Sequence, residues 1–61
     1  MTLDDYLRSG RDTAKKLAAR VGVTEVSISR IRNRNQRPSL ALASRIVAET
    51  GGKVTFEELA A

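Results

Sequence analysis

Apolar residues return every three or four positions along most of this chain, which is the period of an amphipathic helix. Leu3, Tyr6 and Leu7 make a first short stripe, opened by Thr2 and closed by Ser9-Gly10. Asp4 and Asp5 fall in its first turn, where negative charge suits the positive end of the helix dipole. Leu17, Ala18 and Val21 define a second helix capped by Thr13, and Ile28 and Ile31 a third, from Glu25 to Asn33. Ser39 caps a fourth helix running to Thr50, whose stripe is Leu42, Ala43, Ile46 and Val47 with Leu40 nearby; Gly51-Gly52 ends it. Thr55-Phe-Glu-Glu58 then matches the S/T-x-x-E capping box of a fifth helix. Phe56 and Leu59 would dock on the core or on a second subunit. A β-hairpin competes for residues 51–59, because Val54-Thr55-Phe56 after two glycines can be strand. The expected architecture is all-α: a compact bundle of about five short helices in one domain, residues 1–61.

The stretch from Thr13 to Asn33 organises the rest. Two short helices meet at a tight corner, which fits a helix-turn-helix. Ala18 is small enough to let the second helix of the pair cross closely. Gly22 supplies the left-handed backbone that a sharp helix exit needs. Thr24 can cap the free amides of the following helix.

Charge adds a direction. The chain carries a net +4, but unevenly. Residues 1–12 and 39–61 are each −1. Residues 13–38 hold Lys15, Lys16, Arg20, Arg30, Arg32, Arg34 and Arg37 against Glu25 alone, a local +6. Positive charge gathered on a helix-turn-helix and the loop after it is the footprint of a polyanion-binding surface.

The outward side of the third helix follows from its inward one. At 100° per residue, Val26, Arg30 and Asn33 lie opposite Ile28 and Ile31, with Ser27 and Ser29 to either side. Arg30 can bond guanine in bidentate fashion, Asn33 can pair with adenine, and the Val26 methyls can pack on a thymine methyl; simple exposure is the other reading of Val26. The small serines allow close approach. Glu25 suits the helix dipole and, as a second reading, can accept from a cytosine amino group. Thr13, Lys15 and Lys16 sit where the second helix would meet a phosphate, and Thr24 joins them at the head of the third. Lys16 and Arg20 also read as solubilising residues, Arg20 more strongly so. In the loop Arg32–Ser39, Arg34, Asn35 and Arg37 can track the backbone or enter a narrow minor groove. Asn33 and Asn35 are the loop residues that tolerate left-handed geometry, and Pro38 disfavours helix at Arg37.

Other chemistries are poorly served. The chain has no cysteine and no histidine, so disulfides, thiolate metal sites and imidazole catalysis are excluded, and no enzyme, metal site, cofactor or small-molecule substrate is expected. No G-x-x-x-x-G-K phosphate loop is present. The two aromatics, Tyr6 and Phe56, are better used as core than as base-stacking platforms for RNA. No apolar run approaches the roughly 20 residues of a membrane span, and the acidic opening does not read as a secretion signal. The cysteine-free composition fits a reducing cytoplasm.

LAARVGVTEVSISRIRN, followed by a loop ending in Arg37-Pro38-Ser39, resembles the helix-turn-helix domain of the phage repressor and Cro family, also called Xre-like. The likeness spans roughly residues 2–50. It rests on the Ala18-x-x-x-Gly22 spacing and the Ile28-Ser29-x-Ile31 helix. It implies a lambda-repressor-like fold and a cytoplasmic, nucleoid-bound transcriptional repressor. It also implies a homodimer on a roughly palindromic double-stranded DNA operator, pairing in solution or only on DNA. The family's base-reading positions fall on Thr24, Glu25, Val26, Ser27 and Arg30, and its loop arginine on Arg37. Its glutamine at the start of the second helix is Ala14 here, which moves that phosphate contact toward Thr13. Some Cro relatives end in a dimerising hairpin. The alternative from another class is an antitoxin or adaptor-type protein-interaction module with secondary DNA binding.

Overall fold

Four hydroxyls set where the helices begin. In a computed structural model that describes residues 1–60, Thr2 accepts from the Asp5 amide, Thr13 from Lys16, Thr24 from Ser27 and Ser39 from Leu42, at 3.1–3.2 Å. Each satisfies an amide that the helix itself leaves free. The helices that follow are α1 (Leu3–Arg8), α2 (Ala14–Val21), α3 (Glu25–Arg32) and α4 (Leu40–Glu49), with α5 (Phe56–Ala60) last. Ala61, part of the expected domain, lies outside the described residues.

The all-α bundle is therefore the fold, and the hairpin is not formed. Thr55 and Glu58 make the reciprocal capping-box bonds, Glu58 N to Thr55 Oγ1 and Thr55 N to Glu58 Oε1, both 3.3 Å. Gly51 and Gly52, at φ +65° and +80°, close the end of α4. The Gly52 amide reaches back to Val47 O and the Gly51 amide to Ala48 O. Both glycines are thus spent on a helix C-terminus, not on a strand-to-strand turn.

The core is built from one fully buried side chain of each central element: Leu17 on α2, Ile28 on α3, Ile46 on α4 and Val54 in the segment before α5. Leu3, Tyr6 and Leu7 of α1 cover one side and Leu59 of α5 another. α2 packs most extensively on α3 and next on α4. Leu40 does not join the α4 stripe and is 79% exposed. It lies about 120° round the helix from Ile46, beyond the arc that faces the core. Phe56 is also exposed. No helix among the described residues is long and apolar enough to cross a membrane.

Two sets of ion pairs fasten the helices together. Arg32 of α3 donates to Asp4 of α1 through Nε and Nη2, at 3.0 and 2.7 Å. Arg20 of α2 pairs with Asp12 and also donates to Glu49 of α4 at 2.9 Å. Among the described residues Asp12 is the one buried carboxylate; it also accepts from the Thr13 amide and the Tyr6 hydroxyl. The Arg20 guanidinium holds the Asp12 carboxyl below the usual carboxylate range, and Arg32 does the same to Asp4.

A carboxyl whose pKa is lower folded than unfolded adds stability above its unfolded value and loses it as pH falls through the folded one. The melting temperature is therefore expected to be flat from neutral pH to about 5 and to fall below about pH 4. Asp12→Asn should lower stability at neutral pH and shrink the acid fall. Thermal unfolding followed across pH checks both, and an undiminished acid fall in Asp12→Asn would remove Asp12 from the account.

Candidate nucleic-acid interface

α3 turns its polar side outward because its two isoleucines are claimed by the core. Ile28 and Ile31 are buried, whereas Val26, Arg30 and Asn33 are exposed at spacings of four and three, forming one strip along the helix. Val26 is 58% exposed, so its methyls are open to a ligand. Ser27 and Ser29 flank the strip, half-buried. Glu25 stands exposed in the first turn of α3, the position that favours its dipole role.

The hydroxyls expected near phosphates are already engaged. Thr13 caps α2, and Thr24 both accepts from the Ser27 amide and donates to Ser27 Oγ at 3.1 Å. Their side chains stay exposed, so a further partner is sterically open to them. Lys15 and Lys16 are exposed on α2, turned away from its buried face of Leu17, Ala18 and Val21.

The corner between α2 and α3 is closed by Gly22, at φ +82°, with the Val23 amide bonded to Ala18 O. The Arg45 side chain donates to Val21 O at 3.2 Å, satisfying another carbonyl of the α2 end. The turn is thus held from α4 as well as from within. That support was invisible in the local pattern because Arg45 is far along the chain.

The exit from α3 departs from expectation. Neither Asn33 nor Asn35 adopts the left-handed backbone; Arg34 does, at φ +62°. The Asn35 amide returns to Arg30 O at 2.8 Å and the Arg34 amide to Ile31 O at 3.1 Å. This is the same closure that ends α4 at Gly51, with an arginine in the glycine position. Asn33 is one residue too early for it, because its own amide still bonds back to Ser29 O. A side chain with a Cβ in this conformation costs on the order of 1–2 kcal/mol. Arg34→Gly should therefore raise stability by about 1 kcal/mol, a rise of about 4–8 °C in the melting temperature of a domain this size. Circular dichroism melting checks it, and a lowered melting temperature would mean that the Arg34 side chain contributes more to the fold than its backbone costs.

Ion pairing redraws the charge map. Arg20 and Arg32 are committed to Asp12, Glu49 and Asp4, so Arg20 is a structural residue and not merely a solubilising one. Among the described residues, Lys15, Lys16, Arg30, Arg34 and Arg37 form no ion pair, against Glu25 alone. The local excess available to a ligand is +4, reduced from the +6 of the bare sequence. Arg34, Asn35 and Arg37 are all exposed in the loop that follows α3. The arrangement offers a shallow strip of hydrogen-bonding and methyl groups bordered by free cations. It suits a ligand with repeated negative charge and a readable edge.

In comparisons with protein-family models, curated proteins and solved structures, nothing matches this chain.

Proposed function

We propose that this domain is a sequence-specific double-stranded DNA-binding regulator, most simply a Cro-like repressor that blocks polymerase access at an operator on the bacterial nucleoid. The observation that carries this reading is the exposed Val26–Arg30–Asn33 strip on α3, continued by exposed Arg34 and Arg37. A helix about 10–12 Å across with its side chains fits the major groove, about 12 Å wide. Arg30, Asn33 and Val26 then meet base edges, with Ser27 and Ser29 allowing close approach and Glu25 at the leading end. Lys15, Lys16 and the α2 amides behind Thr13 hold one phosphate track, and Arg34, Asn35 and Arg37 the other. One copy reads only a few base pairs, so two act together on half-sites about one helical turn apart.

Selection from a random duplex library at near-physiological salt tests the reading. An enriched inverted repeat, bound about 10³-fold or more tightly than scrambled DNA, supports it. If the five cations of residues 13–38 that form no ion pair among the described residues all meet phosphates, the salt slope is about −4 to −5 per copy. No enriched motif, with equal salt-sensitive binding to every duplex, would overturn it and leave a non-specific basic surface.

A further inference from the structure

Arg34 holds a backbone conformation that its residue type does not favour. At φ +62° it is the one non-glycine residue with positive φ among the described residues; the others are Gly10, Gly22, Gly51 and Gly52. Hydrogen bonding fixes the position: the Arg34 amide bonds to Ile31 O at 3.1 Å and the Asn35 amide to Arg30 O at 2.8 Å. It does not fix the residue type. Glycine takes the same backbone without the Cβ penalty, and asparagine takes it more readily than arginine. Nor does the Arg34 side chain serve the fold. It is exposed, and it forms no ion pair and no hydrogen bond among the described residues. Backbone strain of this kind gathers at ligand-contact positions. We propose that Arg34 is an anion-contact residue whose strain is kept for the ligand, so that this position lowers stability and raises affinity for a phosphate group.

Chemistry and place both select phosphate. A guanidinium stays charged at any working pH, and its fork of donors matches two oxygens of one phosphate. No carboxylate lies between Asn33 and Ser39, so nothing near in the chain competes for it. Arg34 follows directly on Asn33, the last residue of the exposed strip. With that strip on base edges, the end of α3 leaves the major groove, and the wall it meets there is sugar and phosphate. Both amides that define the turn are bonded, so contact has only the Arg34 side chain to order, which lowers the entropy cost of binding. Arg37 and Asn35 carry no such strain, which sets Arg34 apart within the loop. The anion contact itself follows from strain and exposure. That the phosphate belongs to duplex DNA rests on the function proposed above.

Three variants separate strain from charge. Arg34→Gly removes both, Arg34→Asn removes the charge and part of the strain, and Arg34→Lys keeps both. Arg34→Gly and Arg34→Asn should melt above the wild type and yet bind every duplex, selected or scrambled, about 10-fold more weakly. Their salt slope should be shallower by about 0.9. Arg34→Lys should melt and bind close to the wild type, because a phosphate also accepts from an ammonium group. Circular dichroism melting and fluorescence titration at several salt concentrations give both readings. Wild-type affinity in Arg34→Gly would overturn the proposal, and so would a lowered melting temperature. A loss confined to the selected duplex and not rescued by Arg34→Lys would make Arg34 a base contact and overturn the phosphate assignment. If library selection enriches no motif while Arg34→Gly still weakens binding to all duplexes alike, the phosphate contact stands and the sequence-specific reading falls.

Discussion

Ile28→Ala is expected to remove a large part of the domain's stability. Ile28 is completely buried, on the helix that packs most extensively against α2, and it belongs to the same core cluster as Leu17 and Ile46. Truncating a buried isoleucine removes its transfer free energy and leaves a cavity, for a cost of about 2–5 kcal/mol. At about 0.05–0.15 kcal/mol per residue, a chain of this length has only about 3–9 kcal/mol in all. The loss should appear as a lower urea midpoint or as no cooperative transition in far-ultraviolet circular dichroism. Binding would fall with the fold and recover in part under saturating ligand, which draws the equilibrium back to the native state. A variant that melts like the wild type would show that Ile28 is not central to the core. The assignment of the opposite face of α3 to ligand would fall with it.

Arg30→Ala, two residues further along the same helix, should behave in the opposite way. Its side chain lies about 200° round the helix from Ile28, exposed and in no ion pair among the described residues. Its removal should change stability by no more than about 0.5 kcal/mol. Affinity for the selected operator should fall by about 1–3 kcal/mol, with specificity relaxed at one base position. That corresponds to a loss of about 5- to 150-fold. Lys15→Ala gives the contrast: a uniform loss on all duplexes and a salt slope shallower by about 0.9. Titrations of both variants on selected and scrambled DNA at several salt concentrations separate the two roles. If Arg30→Ala weakens selected and scrambled DNA equally, Arg30 is a phosphate contact and the base-reading strip has lost its main residue.

The periodicity of Leu17-Ala18-Val21 and Ile28-Ile31 was enough to place α2 and α3, and Thr13, Thr24 and Ser39 marked three helix starts within a residue. The same arithmetic that buries Ile28 exposes Arg30, so the candidate strip was legible before any fold was known. Leu40 and Phe56 were not, because whether an apolar residue near a helix end reaches the core depends on where the neighbouring helices stop. Arg34 was missed for a related reason. A left-handed residue is easy to anticipate at glycine or asparagine, but here the last hydrogen bond of α3 fixes the position and the residue type yields to it.

What the sequence by itself determined is local: four helical stripes, their caps, the glycine corner at residue 22, and the side of α3 that faces away from its isoleucines; for residues 51–59 it left helix and hairpin in competition. These follow from spacings of three and four and from hydroxyls next to free amides, interactions that close within one or two helical turns. Only the tertiary structure decided which charges are available. Arg32 finds Asp4 and Arg20 finds Glu49 across separations of 28 and 29 residues. It also decided that Asp12 is buried and that the exposed apolar side chains of α4 and α5 share one groove. Pairing between distant residues depends on how whole helices pack, and the period of a single helix carries no record of it.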